Sequence, residues 1–176
     1  MKTCGKCGGE TRIQPISRYK IKKEQVGGMH VEVFDAVTNL VCAKCGAVLR
    51  TDIPNLPGLL AAIAVSRSTI ERKLNGQEIK FMRKTMEKTA KELAASLDVT
   101  EETVSRWEND KLAISNPFER MLRVRVCREL GERTEIEWND DDILYRMKIN
   151  PVAKQPELKL CLASRRKELW RERKAA

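Results

Sequence analysis

Residues 89–111 of this chain read TAKELAASLDVTEETVSRWENDK. Thr89 and Thr100 stand where helix N-caps are expected, because a hydroxyl at that position accepts a hydrogen bond from a free amide of the first turn. The apolar residues that recur at helical spacing in this stretch are Leu93, Ala94, Leu97, Val104 and Trp107. The pattern predicts two helices, 90–97 and 101–109, joined by a tight turn at Asp98-Val99 and in close approach at Ala94. Such a pair is a helix-turn-helix, whose second helix offers an exposed face to a partner.

The stretch resembles the DNA-binding domains of phage-repressor-like (XRE) regulators, most specifically in Val104-Ser105-Arg106-Trp107-Glu108-Asn109. The resemblance covers about residues 76–126 and implies that the helix 101–109 enters the major groove of DNA. Arg106 would then read a base edge, since arginine bidentate to guanine is the commonest specific contact. The other base-reading positions that the resemblance implies are Glu101, Glu102 and Thr103. The positions that would hold phosphates are Thr89, Ser105, Asn109 and Lys111. The alternative use of this charged face is contact with a protein.

Two residues depart from the pattern of that family. Asp98 and Asp110 stand where its members usually have glycine in a turn with positive φ. Aspartate tolerates the left-handed conformation better than most side chains, so we expect the fold to be kept. Asp110 also places a negative charge near an expected phosphate.

Helices on either side of this stretch complete a predicted bundle at 76–131. The first covers 76–88, and the last covers 118–130 after the start signal Ser115-Asn116-Pro117 and before Gly131. Met121 leaves apolar surface on the last helix. We expect a homodimer on a palindromic operator, because one recognition helix reads too few bases for useful specificity.

The N-terminal region carries two copies of Cys-x-x-Cys-Gly, which supply Cys4, Cys7, Cys42 and Cys45. Two residues between cysteines let both thiolates of one knuckle reach the same ion, and four thiolates complete a closed tetrahedral site. The spacing predicts one structural zinc ion per chain. A disulfide framework is the alternative, disfavoured by the paired knuckles and the lack of a secretory leader. Cys127 and Cys161 have no ligand partner at such spacing and are expected in the core or an interface.

The residues between the knuckles predict a β-hairpin, with strands in 12–25 and 29–40 on either side of Val26-Gly27-Gly28. His30 next to that turn is expected at the surface. The sequence therefore predicts a mixed α+β protein of two domains. Its divisions are a zinc ribbon at 1–55, a linker helix at 56–75, the all-α five-helix-type bundle at 76–131 and a small β/α extension at 132–176.

The extension has strand-like alternation at 134–138 and 157–162 and a predicted basic helix at 165–174. Glu168 and Glu172 interleave the basic residues of that helix as they would in pairs four residues apart. We expect the extension to enlarge a dimer interface. The other possibility is that its basic tail touches DNA backbone.

The order of a Cys-x-x-Cys-Gly ribbon, a linker helix and this helix-turn-helix resembles the MqsA-type antitoxins (YgiT-like). The phrases that carry the resemblance are Val41-Cys42-Ala43-Lys44-Cys45-Gly46, Ile79-Lys80-Phe81-Met82-Arg83-Lys84 and Ser105-Arg106-Trp107-Glu108. It implies that the zinc domain holds a toxin, commonly an mRNA-cleaving ribonuclease, while the helix-turn-helix dimer represses the operon encoding both. Two alternatives stay open, which are a stand-alone regulator without a toxin and a zinc-ribbon adaptor for RNA or ribosomes.

Composition excludes other classes of protein. The chain has a single histidine, no serine–histidine–aspartate set and no phosphate-binding glycine loop, so we expect no enzyme. Its net charge of +9 suits a polyanionic partner. The longest apolar run is too short to cross a bilayer, and a cytoplasmic, bacterial protein is expected.

Overall fold

The computed structural model describes residues 3–151, 154–164 and 169–173, which form a mixed α+β fold. The strands are β1 (Thr11–Lys20), β2 (His30–Cys42), β3 (Val48–Asp52), β4 (Glu157–Ser164) and β5 (Leu169–Glu172). The helices are α1 (Leu56–Thr69), α2 (Gly76–Thr85), α3 (Ala90–Ser96), α4 (Glu101–Glu108) and α5 (Asn116–Leu130). Short one-turn segments lie at Lys23–Gln25, Gly131–Arg133 and Asp142–Arg146. Within the described residues, no helix has the length and apolar character needed to cross a bilayer.

The strand β2 is the centre of the sheet. Along one edge it pairs antiparallel with β1, from Glu32 opposite Lys20 to Cys42 opposite Thr11, which confirms the predicted hairpin. Along the other edge its first part pairs in parallel with β4, from His30 opposite Glu157 to Phe34 opposite Cys161. Its last part pairs antiparallel with β3, and β5 adds to β4. The C-terminal strands therefore belong to the same sheet as the cysteine knuckles.

The helix α1 is buried on every side. Its residues 58–59 and 61–68 are all buried, and it contacts β4 and β5 on one side and α2 and α5 on the other. A helix that is apolar all round is one that the fold encloses. The division of the chain at 55, 75 and 131 stays a prediction. In the structure, one apolar cluster extends from Val31 of the sheet through Leu59 of α1 to Leu122 of α5.

A buried arginine joins the end of α1 to the start of α2. Arg67 interrupts the apolar stripe of α1, and its side chain has no solvent exposure. Its Nε lies 2.8 Å from Oε1 of the equally buried Glu78, and its Nη2 donates to Oε2 of the same carboxylate. The Nη2 also donates to the carbonyl oxygens of Arg72 and Lys73. One guanidinium thus satisfies both a buried carboxylate and the backbone of the connecting segment.

A second buried arginine ties the same segment to α5. Arg123 pairs with Glu119 one turn before it, and both side chains have no exposure. Its guanidinium donates to the carbonyl oxygens of Arg67, Ser68, Ile70 and Arg72. The carboxylate of Glu119 accepts from the N–H of Leu74 at 3.0 Å and lies 2.9 Å from Nζ of Lys73. We call the four side chains Arg67, Glu78, Glu119 and Arg123 the buried charge network.

The start of α2 shows a role for Asn75 that its sequence context does not suggest. A pair such as Asn75-Gly76 typically ends a helix in a left-handed conformation, which would place it at the end of the linker helix. Instead Asn75 has φ −94° and caps α2 through a reciprocal capping box with Glu78. Glu78 therefore serves the cap and the buried charge network together, because its carboxylate accepts from the N–H of Asn75 as well as from Arg67.

The turn between β1 and β2 packs directly on α2. Gly27 has φ +64°, and a Cβ there would lie 2.9 Å from the carbonyl oxygen of Gln77 and 2.9 Å from Cβ of Phe81. No other residue type allows that approach without a shift of α2. The tip of the hairpin and the first helix of the bundle are therefore in contact.

The C-terminal region corrects two predictions. The strand expected at 157–162 is confirmed as β4, but Thr134 in the strand expected at 134–138 makes only an isolated bridge to Trp170. The helix expected at 165–174 is wrong at 169–172, which forms β5. Trp170 decides this, because as a strand residue it is fully buried and its Nε1 donates to the carbonyl of Asn55 before α1. The residues 165–168 and 174 of that expected helix and basic tail lie outside the described residues.

Candidate nucleic-acid interface and metal centre

Local hydrogen bonds form the turn of the helix-turn-helix. The hydroxyl of Thr100 accepts from the N–H of Thr103 and caps α4 as predicted. The N–H of Val99 donates to the carbonyl of Ala94, which is buried where α3 and α4 approach. Asp98 holds the turn at φ +54°, the left-handed conformation expected there. The cap, the turn and the close approach that the sequence predicts are therefore the features that position α3 and α4.

The inner face of α4 is locked to α2 and α5. Val104 and Trp107 are buried, and the Trp107 ring lies 5.7 Å from that of Phe118. Arg83 of α2 donates from Nε and Nη2 to the two carboxylate oxygens of Glu108, at 2.5 and 2.9 Å. Hydrogen bonding to Glu108 raises the pKa of Arg83. The orientation of α4 is therefore set by a bidentate ion pair as well as by apolar packing.

The outer face of α4 carries the predicted base-reading residues. Glu101, Glu102, Ser105 and Arg106 are exposed, and Thr103 is half-buried. Within the described part of the chain the guanidinium of Arg106 has no hydrogen-bond or ion-pair partner. An unengaged guanidinium at the end of an exposed helix is free to make bidentate bonds to an acceptor pair.

The predicted phosphate-contact residues differ in whether their polar groups already make hydrogen bonds within the protein. Lys111 and Ser105 are exposed, while the side-chain amide of Asn109 donates to the Ser105 carbonyl at 2.7 Å. Thr89 is engaged, because both its N–H and its hydroxyl donate to the carboxylate of Glu92, which lowers the pKa of Glu92. Thr89 and Glu92 form a capping box that the sequence pattern Thr-x-x-Glu could have shown. A phosphate at the N-terminus of α3 would take the place of that carboxylate.

Asp110 has a structural partner that sequence reasoning missed. It adopts φ +54°, as expected, and its Oδ1 accepts from the N–H of Gly76 at 2.7 Å. Gly76 is needed there, since a Cβ would lie 2.6 Å from the carbonyl oxygens of Trp107 and Glu108. The carboxylate thus joins the end of α4 to the start of α2.

The four knuckle cysteines converge as predicted. Their sulfur atoms all lie within 4.8 Å of one another, with Cys4 Sγ 3.9 Å from Cys45 Sγ and Cys7 Sγ 3.4 Å from Cys42 Sγ. Four sulfurs at a Zn–S distance of about 2.3 Å in a tetrahedron would be about 3.8 Å apart. The donor set and its spacing therefore fit a tetrahedral metal ion. Cys127 is buried elsewhere in the core, and His30 is exposed.

Backbone geometry shapes the two knuckles alike. Gly8 and Gly46 have φ +67° and +70°, and their N–H groups donate to the carbonyls of Cys4 and Cys42. Gly9 passes so close to the site that a Cβ would lie 3.2 Å from Cys42 Sγ. The cysteine positions are therefore determined by backbone turns in which glycine is required.

Two thiols of the cluster have pKa values shifted in opposite directions. The N–H of Cys45, 3.5 Å from the sulfur, lowers the pKa of Cys42 to about 6. At Cys7 the N–H of Gly9 lowers the pKa, but hydrogen bonding to the Cys42 and Cys45 thiols and burial raise it overall, to about 12. A metal ion binds the thiolate form, so its binding would displace the protons from these thiols.

Comparison with known proteins identifies one part of the chain. The helix-turn-helix family matches residues 79–117, which span α2 to the start of α5. That family comprises DNA-binding regulatory domains and not a class of enzymes, and the match covers less than a quarter of the chain. Searches of the curated proteins and of the solved structures returned no match.

We predict that the purified protein carries one tightly held metal ion per chain and that Cys42→Ser releases it, because three thiolates bind far more weakly than four. Cys127→Ser is the matched control, since Cys127 is buried outside the cluster. Elemental analysis after dialysis measures the metal. A metal-free wild-type protein, or equal metal retention by both variants, would contradict the site.

Proposed function

We propose that the protein is a sequence-specific transcriptional repressor that inserts α4 into the major groove of its operator. One observation carries the proposal: the helix-turn-helix is complete, rigidly supported from inside by Arg83 and Glu108, and presents Arg106 unengaged on its outer face. A helix held at a fixed angle with a free guanidinium meets the requirements of direct readout.

Glu101, Glu102 and Thr103 would complete the base readout beside Arg106. The carboxylates lie in the first turn of α4, where the helix dipole favours negative charge. A glutamate cannot approach a phosphate favourably, but it accepts a hydrogen bond from cytosine N4. The pair of acids and the arginine on one helix therefore favour a site containing both cytosine and guanine.

The remaining polar residues would set the register of α4 on the duplex. Lys111 and Ser105 are available to phosphates directly, and Asn109 retains its amide oxygen and second amide hydrogen. Thr89 would bind a phosphate through its N–H and hydroxyl once the phosphate has replaced the Glu92 carboxylate as their acceptor. Such contacts position the protein without reading sequence.

The apolar surface of α5 supports a homodimer on a palindromic operator as part of the proposal. Met121 is 45% exposed and borders a groove of about 380 Å³ that Leu97, Val124 and Leu144 also line. The groove lies beside α3, so a second copy docked there would present a second recognition helix.

We further propose that the four cysteines hold zinc and that the ribbon binds a toxin, which would make the protein an antitoxin that represses its own operon. Four thiolates in a closed site suit structural zinc. Support for a protein partner comes from apolar side chains at the knuckle end of the sheet, where Ile13 is 72%, Val48 57% and Leu49 38% exposed. The outer edge of β1 has no strand partner within the described residues, and a free edge is a site for strand addition.

Arg106→Ala should weaken binding to the DNA upstream of its own gene by about 1–3 kcal/mol and leave binding to random duplexes almost unchanged, because base contacts specify and phosphate contacts do not. Arg12→Ala, which removes an exposed cation from β1, is the matched control. Electrophoretic mobility shifts at fixed salt measure both. An equal loss of affinity for specific and random DNA would show that Arg106 contacts only phosphate. No loss of affinity for either DNA would show that α4 is not part of the DNA interface.

The toxin role predicts a stable complex between the full chain and the product of the adjacent gene, detected by co-expression and size-exclusion chromatography. Ile13→Asp should weaken that complex, because it places a charge in the exposed apolar patch, while DNA binding is kept. Tyr145→Asp, at another exposed apolar position, is the control. Failure of the wild-type chain to form the complex would contradict the toxin role and favour a stand-alone regulator.

A further inference from the structure

The face of the sheet that points away from α1 is distinctly basic. Side chains alternate along the strands, so Val31, Val33, Leu158, Leu160 and Trp170 are buried toward α1. The residues that alternate with them form what we call the outer sheet face, which comprises Arg18, Lys20, Glu32, Phe34, Lys159, Cys161, Arg171 and Arg173. Its arginines and lysines are all exposed.

Register places these residues in two rows across four strands. In one row Lys20 lies opposite Glu32, and Glu32 opposite Lys159, beyond which the N–H of Arg173 donates to the Lys159 carbonyl. In the other row Phe34 lies between Arg18 and Cys161, and Cys161 is opposite Arg171. Strands are about 4.8 Å apart, so the cations of a row are spread over about 14 Å. That span matches several phosphates of an extended strand.

Acidic residues cancel only part of this charge. Glu32 is 2% exposed and pairs with Arg18, with Lys20 3.7 Å away, and Glu157 at the edge of the face lies 3.6 Å from Lys159. Within the described residues Arg171 and Arg173 have no acidic partner. The outer sheet face thus keeps a positive excess that neighbouring side chains have not neutralised.

An aromatic ring lies at the centre of the cations. The Arg173 guanidinium is 4.0 Å from the centroid of the Phe34 ring, and that of Arg18 is 6.0 Å away. A guanidinium held flat by a ring offers a planar surface on which a base can stack. Cations beside stacking surfaces on an open sheet are the elements that single-stranded nucleic acids bind.

This face is separate from α4. The helix α1 covers the opposite face of the sheet, and α4 packs on α2 and α3 beyond it. A duplex held by α4 would therefore contact a set of residues separate from the outer sheet face. Among the described residues, the outer sheet face carries no projecting helix or ribbon that could enter a groove of duplex DNA.

We propose that the outer sheet face binds single-stranded RNA. Charge complementarity identifies the phosphates, and Phe34 with Arg173 supplies a base platform. Glu32 favours RNA over DNA, because its Oε2 is buried without a hydrogen-bond partner beneath Arg18 and Lys20. When those two side chains turn to phosphates, a ribose 2′-hydroxyl can donate to that oxygen, whereas deoxyribose cannot. This second binding function does not depend on the operator or the toxin.

The test measures fluorescence anisotropy of a labelled 12-nucleotide oligouridylate with the full chain over a series of salt concentrations. The triple variant Lys159→Gln/Arg171→Gln/Arg173→Gln should bind at least about tenfold more weakly, and the slope of log affinity against log salt should fall by about 2, since each single-strand phosphate contact contributes about 0.7. The control is Lys80→Gln/Lys148→Gln/Lys154→Gln, which removes equal charge from exposed positions elsewhere. This control variant should keep most of the affinity for the oligouridylate. Arg106→Ala should leave the affinity for the oligouridylate unchanged.

Several results would overturn the proposal. These are no binding of the oligouridylate at micromolar protein in low salt, an equal loss in both triple variants, and displacement of the RNA by duplex DNA in excess. Oligothymidylate that binds as tightly as oligouridylate would overturn the assignment to RNA. Each outcome is independent of whether Arg106→Ala weakens binding to the operator, so the RNA surface and the repressor role fail separately.

Discussion

The buried charge network of Arg67, Glu78, Glu119 and Arg123 is the interaction on which the remaining architecture depends. It lies where α1 ends, the segment 70–75 leads to α2, and α5 packs alongside. Such a connecting segment cannot form helix or sheet bonds with all of its carbonyls, and carbonyls that are buried without partners are costly. The two guanidinium groups supply those bonds, and the two carboxylates neutralise them.

This network connects the sheet to the helices of the DNA-binding motif. α1 fills the inner face of the sheet and leads into Arg67, while α2 and α5 hold α4 through Glu108 and Trp107. The hairpin tip at Gly27 makes a second contact between the sheet and α2. The cysteine cluster, the outer sheet face and the recognition helix are thus parts of one packed structure.

The features predictable from sequence were those set by neighbours along the chain. Thr100, Val104 and Trp107 specified α4 through a cap and a helical repeat, and the Cys-x-x-Cys-Gly knuckles specified the convergence of their sulfurs. The pairing of β4 with β2 joins residues more than a hundred positions apart, and no local pattern encodes it. Charge spacing at 165–174 favoured a helix, but burial of Trp170 against α1 made 169–172 a strand. Arg67 was visible as a break in an apolar stripe, whereas its partner Glu78 required the tertiary structure.

The most direct test of the network is the free energy of unfolding of Arg67→Met, measured by urea titration with tryptophan fluorescence. Removing one partner of a fully buried pair should cost about 3–5 kcal/mol, because Glu78 and several carbonyls lose their donor. Arg146→Met removes an exposed arginine that pairs with Asp142 and should cost less than about 1 kcal/mol. We expect that large difference together with a single unfolding transition. A loss at Arg67 no greater than that at Arg146 would contradict it.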